Sequence, residues 1–165
     1  MPLIGFSFLG NYALALQFVA VLSIGNSFFS KYLLTHDSRD VPNKTLKKYY
    51  ILLNICVAIS ASISLPIAVP YFFPEFTDIS ILGIMCLAVI PIGIITVQTS
   101  ELLGHEMGKP NVIGAIIAST IAILGMLLLV PLIGATGAAI VFLLTPTGQA
   151  AYLTFYVRKW KKNME

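Results

Sequence analysis

Five long apolar runs divide this chain, and their length limits what it can fold into more than any other feature. They run from about Gly10 to Leu33, Tyr49 to Val69, Ile79 to Leu103, Val112 to Val130 and Ala135 to Val157. The hydrocarbon core of a bilayer is about 30 Å thick, so a helix rising 1.5 Å per residue needs about 20 apolar residues to cross it. All five runs are of that order. In lipid the backbone N–H and C=O groups have no water to bond, which leaves helices or a closed barrel. The runs show no period-two alternation and far exceed barrel strands in length. The expected fold is therefore all-α, with about five transmembrane helices filling residues 1–157 and a basic tail at 158–165.

Composition excludes the soluble alternative. Apolar residues make up 58% of the chain and charged residues 10%, and mean hydropathy is +0.91. A soluble domain carries about 25% charged residues to keep its surface in water. Cys56 and Cys86 both fall inside apolar runs, with neither metal-ligand spacing nor a paired framework. They are expected to be small buried hydrophobes, and no metal or cofactor is expected. Ala13-Leu14-Ala15 has the look of a signal-peptidase site, but no Lys or Arg precedes it and the apolar run continues to Phe29. That segment reads as a retained span.

The connections carry the charge. Thr35–Lys48 is a polar loop and Pro70–Asp78 is rich in proline and aromatics, suited to a membrane interface. Gly104–Asn111 and Pro131–Gly134 are short turns, and Arg158–Glu165 is the tail. Lys31, Arg39, Lys44, Lys47 and Lys48 sit in or beside the first loop, Lys109 in the third connection, and Arg158, Lys159, Lys161 and Lys162 in the tail. An odd span count puts all three regions on one face, while the opposite connections hold only Glu75 and Asp78. Basic loops stay inside, so the expectation is N-terminus out, C-terminus in, multi-pass in the cytoplasmic membrane. The glycan acceptor Asn43-Lys44-Thr45 then lies on the inner side, where no glycan is added.

No catalytic constellation can be assembled: His36 and His105 both lie in inner connections, with no nucleophile, glycine loop or metal cluster beside them. The chain is not expected to be an enzyme. Gln17, Asn26, Asn54, Gln98 and Gln149 bring amides into apolar runs. An amide facing lipid is costly, so each should bond another helix or line a wet cavity. Gln17 and Gln149, far from span ends, are the preferred cavity-lining pair. Pro91 and Pro146 fall near the middle of their runs, where a lost hydrogen bond makes either a hinge or an ordinary membrane-helix proline. Glu101 stands near an inner helix end, as a gate or cation contact at an inner mouth or as a solvated terminus.

Three stretches carry a likeness. Gly10–Ala15 (GNYALA), Leu102–Pro110 (LLGHEMGKP) and Pro131–Ile140 (PLIGATGAAI) resemble the helix start, the short inner turn and the Pro-x-x-Gly-x-x-Gly-Ala-Ala turn of polysaccharide and O-antigen flippases. These belong to the multidrug/oligosaccharidyl-lipid/polysaccharide superfamily. The resemblance covers nearly the whole chain but only the C-terminal portion of such a flippase, implying part of one lobe of a two-lobed transporter. It implies translocation of lipid-linked oligosaccharide for cell-surface polysaccharide biosynthesis, by alternating access, and a chain inactive without a missing N-terminal lobe or a second chain. Membrane lipids are the other expected partners, and nucleic acid is not one. No Lys or Arg lies deep in a span, so no substrate-binding residue is carried over. A cation-coupled multidrug exporter of the same superfamily would require an acidic residue within a span, and a structural membrane subunit would require only dry packing.

Overall fold

The computed structural model describes residues 6–37, 44–72 and 79–163, and no strand occurs among them. The centre of the polar loop with Arg39 and Asn43, the connection with Glu75 and Asp78, and the side chains of Asn11, His36 and Lys44 lie outside the described residues. The helices are α1 (Phe6–Asp37), α2 (Lys44–Phe72), α3 (Ile79–Leu87), α4 (Val89–Gly104) and α5 (Lys109–Lys162). Four stretches are long and apolar enough to cross a membrane: Tyr12–Thr35, Thr45–Phe72, Ile81–Gly104 and Lys109–Lys162.

Five runs were expected, and the difference lies in α5, a 54-residue element that contains both the fourth and the fifth. Straight, it would extend about 80 Å, well over twice the hydrocarbon thickness. It is not straight. Gly134 takes φ 59° and ψ −131°, a backbone conformation that side chains forbid, and the chain doubles back there. Contacts between the two arms establish the reversal. A Cβ on Gly137 would sit 2.5 Å from the Leu129 carbonyl oxygen, one on Gly125 2.8 Å from a Val141 methyl, and one on Gly114 3.3 Å from the Gln149 Cγ. The pairings step outward from the bend in antiparallel order. The glycines let the two arms approach at backbone distance.

The third run is also less regular than a single helix. A turn at Ala88 separates α3 from α4. Pro91 has no N–H for the Leu87 carbonyl, and just ahead of it the Ala88 N–H bonds Met85 at 3.0 Å, the tighter three-residue spacing. Beyond Val157 the expected tail proves helical: α5 continues to Lys162, with Lys159, Lys161 and Lys162 in its last turn. Cations are favoured there by the unpaired carbonyls of the helix end.

α3 and the start of α4 form the centre, where Leu82, Met85, Cys86, Ala88 and Val89 are wholly buried. Ala15 and Val19 of α1 and Ala58 and Ala61 of α2 pack onto this core. The exterior is just as apolar: Phe28, Leu53, Ile63 and Leu127 are each more than 60% exposed. Water would not tolerate an apolar surface on that scale, whereas lipid solvates it. The architecture is that of an all-α membrane protein. Cys86 is buried as expected, but Cys56 is exposed. A helix apolar on every side does not disclose which face turns inward.

Candidate functional site

Two recesses bear polar side chains. The first is a cleft of about 430 Å³ between α1 and α2, walled by Leu22, Phe29, Leu46, Leu53 and Val57. Its polar floor is Asn26, Tyr50 and Asn54. Tyr50 donates its hydroxyl hydrogen to the Asn26 side-chain oxygen, and its ring stacks on Phe29 with centroids 3.8 Å apart and planes 5° from parallel. Asn54 donates to the Tyr50 carbonyl at 3.3 Å. This side chain also covers Gly93, where a Cβ would lie 2.8 Å from the Asn54 Cγ, so α2 and α4 meet closely at that level. The Asn26 amide nitrogen is buried and has no acceptor among the described residues. A buried donor left unpaired costs about 1–3 kcal/mol, which a ligand or water acceptor in the cleft would offset.

The second recess is a groove of about 300 Å³ where the start of α2, the end of α4 and the last turns of α5 converge. Glu101, with its side chain only 12% exposed, is held between Lys161 at 2.5 Å and Lys47 at 3.3 Å. His105 stacks edge-on against Trp160, with centroids 4.8 Å apart, and ties the α4–α5 turn to the same helix end. The basic ends of α2 and α5 are thus gathered at one end of the bundle. Deeper in the groove, Gln98 donates to the Thr154 hydroxyl at 2.5 Å. Outside the groove lining, Ser100 of α4 reaches the Ser30 carbonyl of α1 at 3.4 Å.

The residues singled out from sequence are dispersed. Gln17 is exposed and lines neither recess. Gln149 lies half-buried against Gly114, between the arms of α5, so the two glutamines do not come together. Pro91 is buried within α4. Pro146 lines a small apolar pocket of about 270 Å³ with Ile92, Val141 and Phe142, and α5 continues through it as helix. Glu101 is not a solvated terminus: it is clamped by two lysines from two other helices. Tyr50 was not anticipated. An aromatic one turn into a membrane helix reads as an interface residue, and only the packing of α1 beside it turns its hydroxyl into the cleft.

No protein-family model, no curated protein and no solved structure matches the chain.

Proposed function

We propose that the chain is part of one lobe of a flippase for lipid-linked oligosaccharide, standing in the cytoplasmic membrane with N-terminus out and the basic ends of its helices at the inner face. The cleft between α1 and α2 carries this reading. Its walls are aliphatic and aromatic, and its floor holds an unpaired amide donor among Asn26, Tyr50 and Asn54. That combination suits a long isoprenoid chain near its polar end: the walls take the hydrocarbon and the amide takes an oxygen. The sugars and diphosphate need a wider polar space than this cleft, which is why a second lobe is part of the proposal. The three motif resemblances support the same assignment.

The test is photo-crosslinking in proteoliposomes with a polyprenyl phosphate that carries a diazirine near its phosphate end. Adducts should map to Leu22–Val57, and Leu53→Trp, which fills the cleft, should abolish them. Labelling scattered over all lipid-facing surfaces, and unchanged in Leu53→Trp, would remove the basis for the proposal. Reconstituted by itself, the chain should not translocate fluorescent lipid-linked oligosaccharide.

A structural membrane subunit is the second reading. Its support is that the amide of Gln98 and the hydroxyl of Ser100 bond neighbouring helices. Under that reading the cleft takes ordinary acyl chains, and the polyprenyl probe has no preferred site.

A further inference from the structure

The groove at the basic end has a chemistry that its role in packing leaves unexplained. Lys47, Lys48, Arg158 and Lys161 all line it, and Glu101 is the only carboxylate among its lining residues. Glu101 engages Lys47 and Lys161. Lys48 and Arg158 have no carboxylate partner among the described residues. Positive charge therefore exceeds negative charge across a recess about 300 Å³ in volume, and an anion placed there meets two uncommitted cations.

A second observation lies at the floor. Gln98 is 9% exposed, and its carbonyl oxygen has no donor among the described residues. Its amide nitrogen donates one hydrogen to the Thr154 hydroxyl at 2.5 Å, and that hydroxyl in turn donates to the Ala150 carbonyl at 2.6 Å. The Gln98 oxygen is left without a donor, and Gln98 lines the same groove as the cations. Ile51, Ile94, Val97 and Val157 supply the remaining walls.

Cations at the rim, an acceptor at the floor and apolar walls between them specify a ligand: an anionic phosphodiester with a free hydroxyl and a hydrocarbon attachment. The groove lies where charged helix ends meet apolar, lipid-facing flanks, which is the depth of lipid headgroups. We propose that it is a binding site for the headgroup of an anionic, hydroxyl-bearing glycerophospholipid. The phosphodiester lies between Lys48 and Arg158, and a headgroup hydroxyl donates to the Gln98 oxygen. The proposal requires the basic end to stand at a membrane surface and does not depend on flippase activity.

Trp160, the only tryptophan in the sequence, is close to the groove and reports occupancy by its fluorescence. Purified full-length chain in neutral detergent is titrated with phosphatidylglycerol, with phosphatidylmethanol (the same charge without a free hydroxyl) and with phosphatidylcholine. Phosphatidylglycerol should bind saturably, phosphatidylmethanol about tenfold more weakly for want of one hydrogen bond to a buried acceptor, and phosphatidylcholine not at all. Lys48→Gln with Arg158→Gln, both at exposed positions, should weaken both anionic lipids about tenfold or more. Gln98→Met should erase the preference for phosphatidylglycerol while leaving phosphatidylmethanol binding unchanged. Equal binding of the two anionic lipids, or binding unaffected by the double variant, overturns the proposal. Displacement of phosphatidylglycerol by glycerol 3-phosphate at comparable concentration would identify a site for soluble phosphate esters and overturn the lipid assignment.

Discussion

Tyr50 of α2 gives its hydroxyl hydrogen to the side-chain oxygen of Asn26 on α1 while its ring lies flat on Phe29. One side chain thus joins two helices by a hydrogen bond and a stacking contact, at the floor of the cleft that separates them. Tyr50 is 6% exposed and Asn26 likewise, so both groups are largely withdrawn from solvent.

Tyr50→Phe keeps the stack and removes the donor. Asn26, whose amide nitrogen already lacks a partner, then loses its oxygen's partner as well. The expected loss is about 1 kcal/mol, the scale of hydrogen bonds between membrane helices, read as a lower thermal midpoint in detergent. Asn26→Leu in the same background should recover most of that loss, because it removes the unsatisfied amide altogether.

At the bend of α5 the constraint is backbone conformation alone, since nothing lies within 4 Å of a Cβ built on Gly134. Gly134→Ala should cost about 1–3 kcal/mol. Gly134→Asn should be no milder. Asparagine tolerates the left-handed helical region, but at ψ −131° the residue lies outside it. A thermal-shift comparison of the two variants checks this.

Glycines along the arms of α5 should differ in a way set by what they face. A methyl at Gly137 meets the Leu129 backbone oxygen at 2.5 Å, which cannot rotate away, so Gly137→Ala should cost about 1–3 kcal/mol. A methyl at Gly148 meets only the far end of the Ile121 side chain, which can change rotamer. Gly148→Ala should stay under about 1 kcal/mol. Equal destabilisation of the two would mean that the arms do not pack as described.

Much of this arrangement was legible from residue order. Long apolar runs locate membrane-length helices without knowledge of packing, and Pro131–Gly134 marks the reversal because glycine alone reaches that backbone conformation. The preferred amides were not legible. Gln17 is exposed whereas Asn26, on the same helix, is buried, and both stand in runs apolar on every side. The periodicity that reveals the inner face of a soluble helix is missing when lipid solvates the outer one. Glu101 shows the same limit. Its place near a helix end is plain from the sequence, but Lys47 and Lys161 come from helices 54 and 60 positions away.

Removing the charge of Glu101 should loosen the basic end. Glu101→Gln leaves Lys47 and Lys161 facing each other without the carboxylate that holds them. A loss of about 2 kcal/mol is expected, within the range for removing one partner of a partly buried charged hydrogen bond. Lys161→Ala should cost less than about 1 kcal/mol, since that side chain is 49% exposed and solvent screens it. Thermal midpoints at low and high salt separate the two, with the Glu101 variant the less salt-dependent.

The proposed topology has α5 crossing the membrane twice, which puts the Gly134 bend and the basic helix end on opposite faces. Single cysteines at Leu132 and at Asn163, in a chain with Cys56 and Cys86 replaced by serine, test this directly with a membrane-impermeant maleimide. In intact cells the Leu132 cysteine should label and the Asn163 cysteine should label only after permeabilisation. Labelling of both from the same side would contradict the double crossing and the orientation built on it.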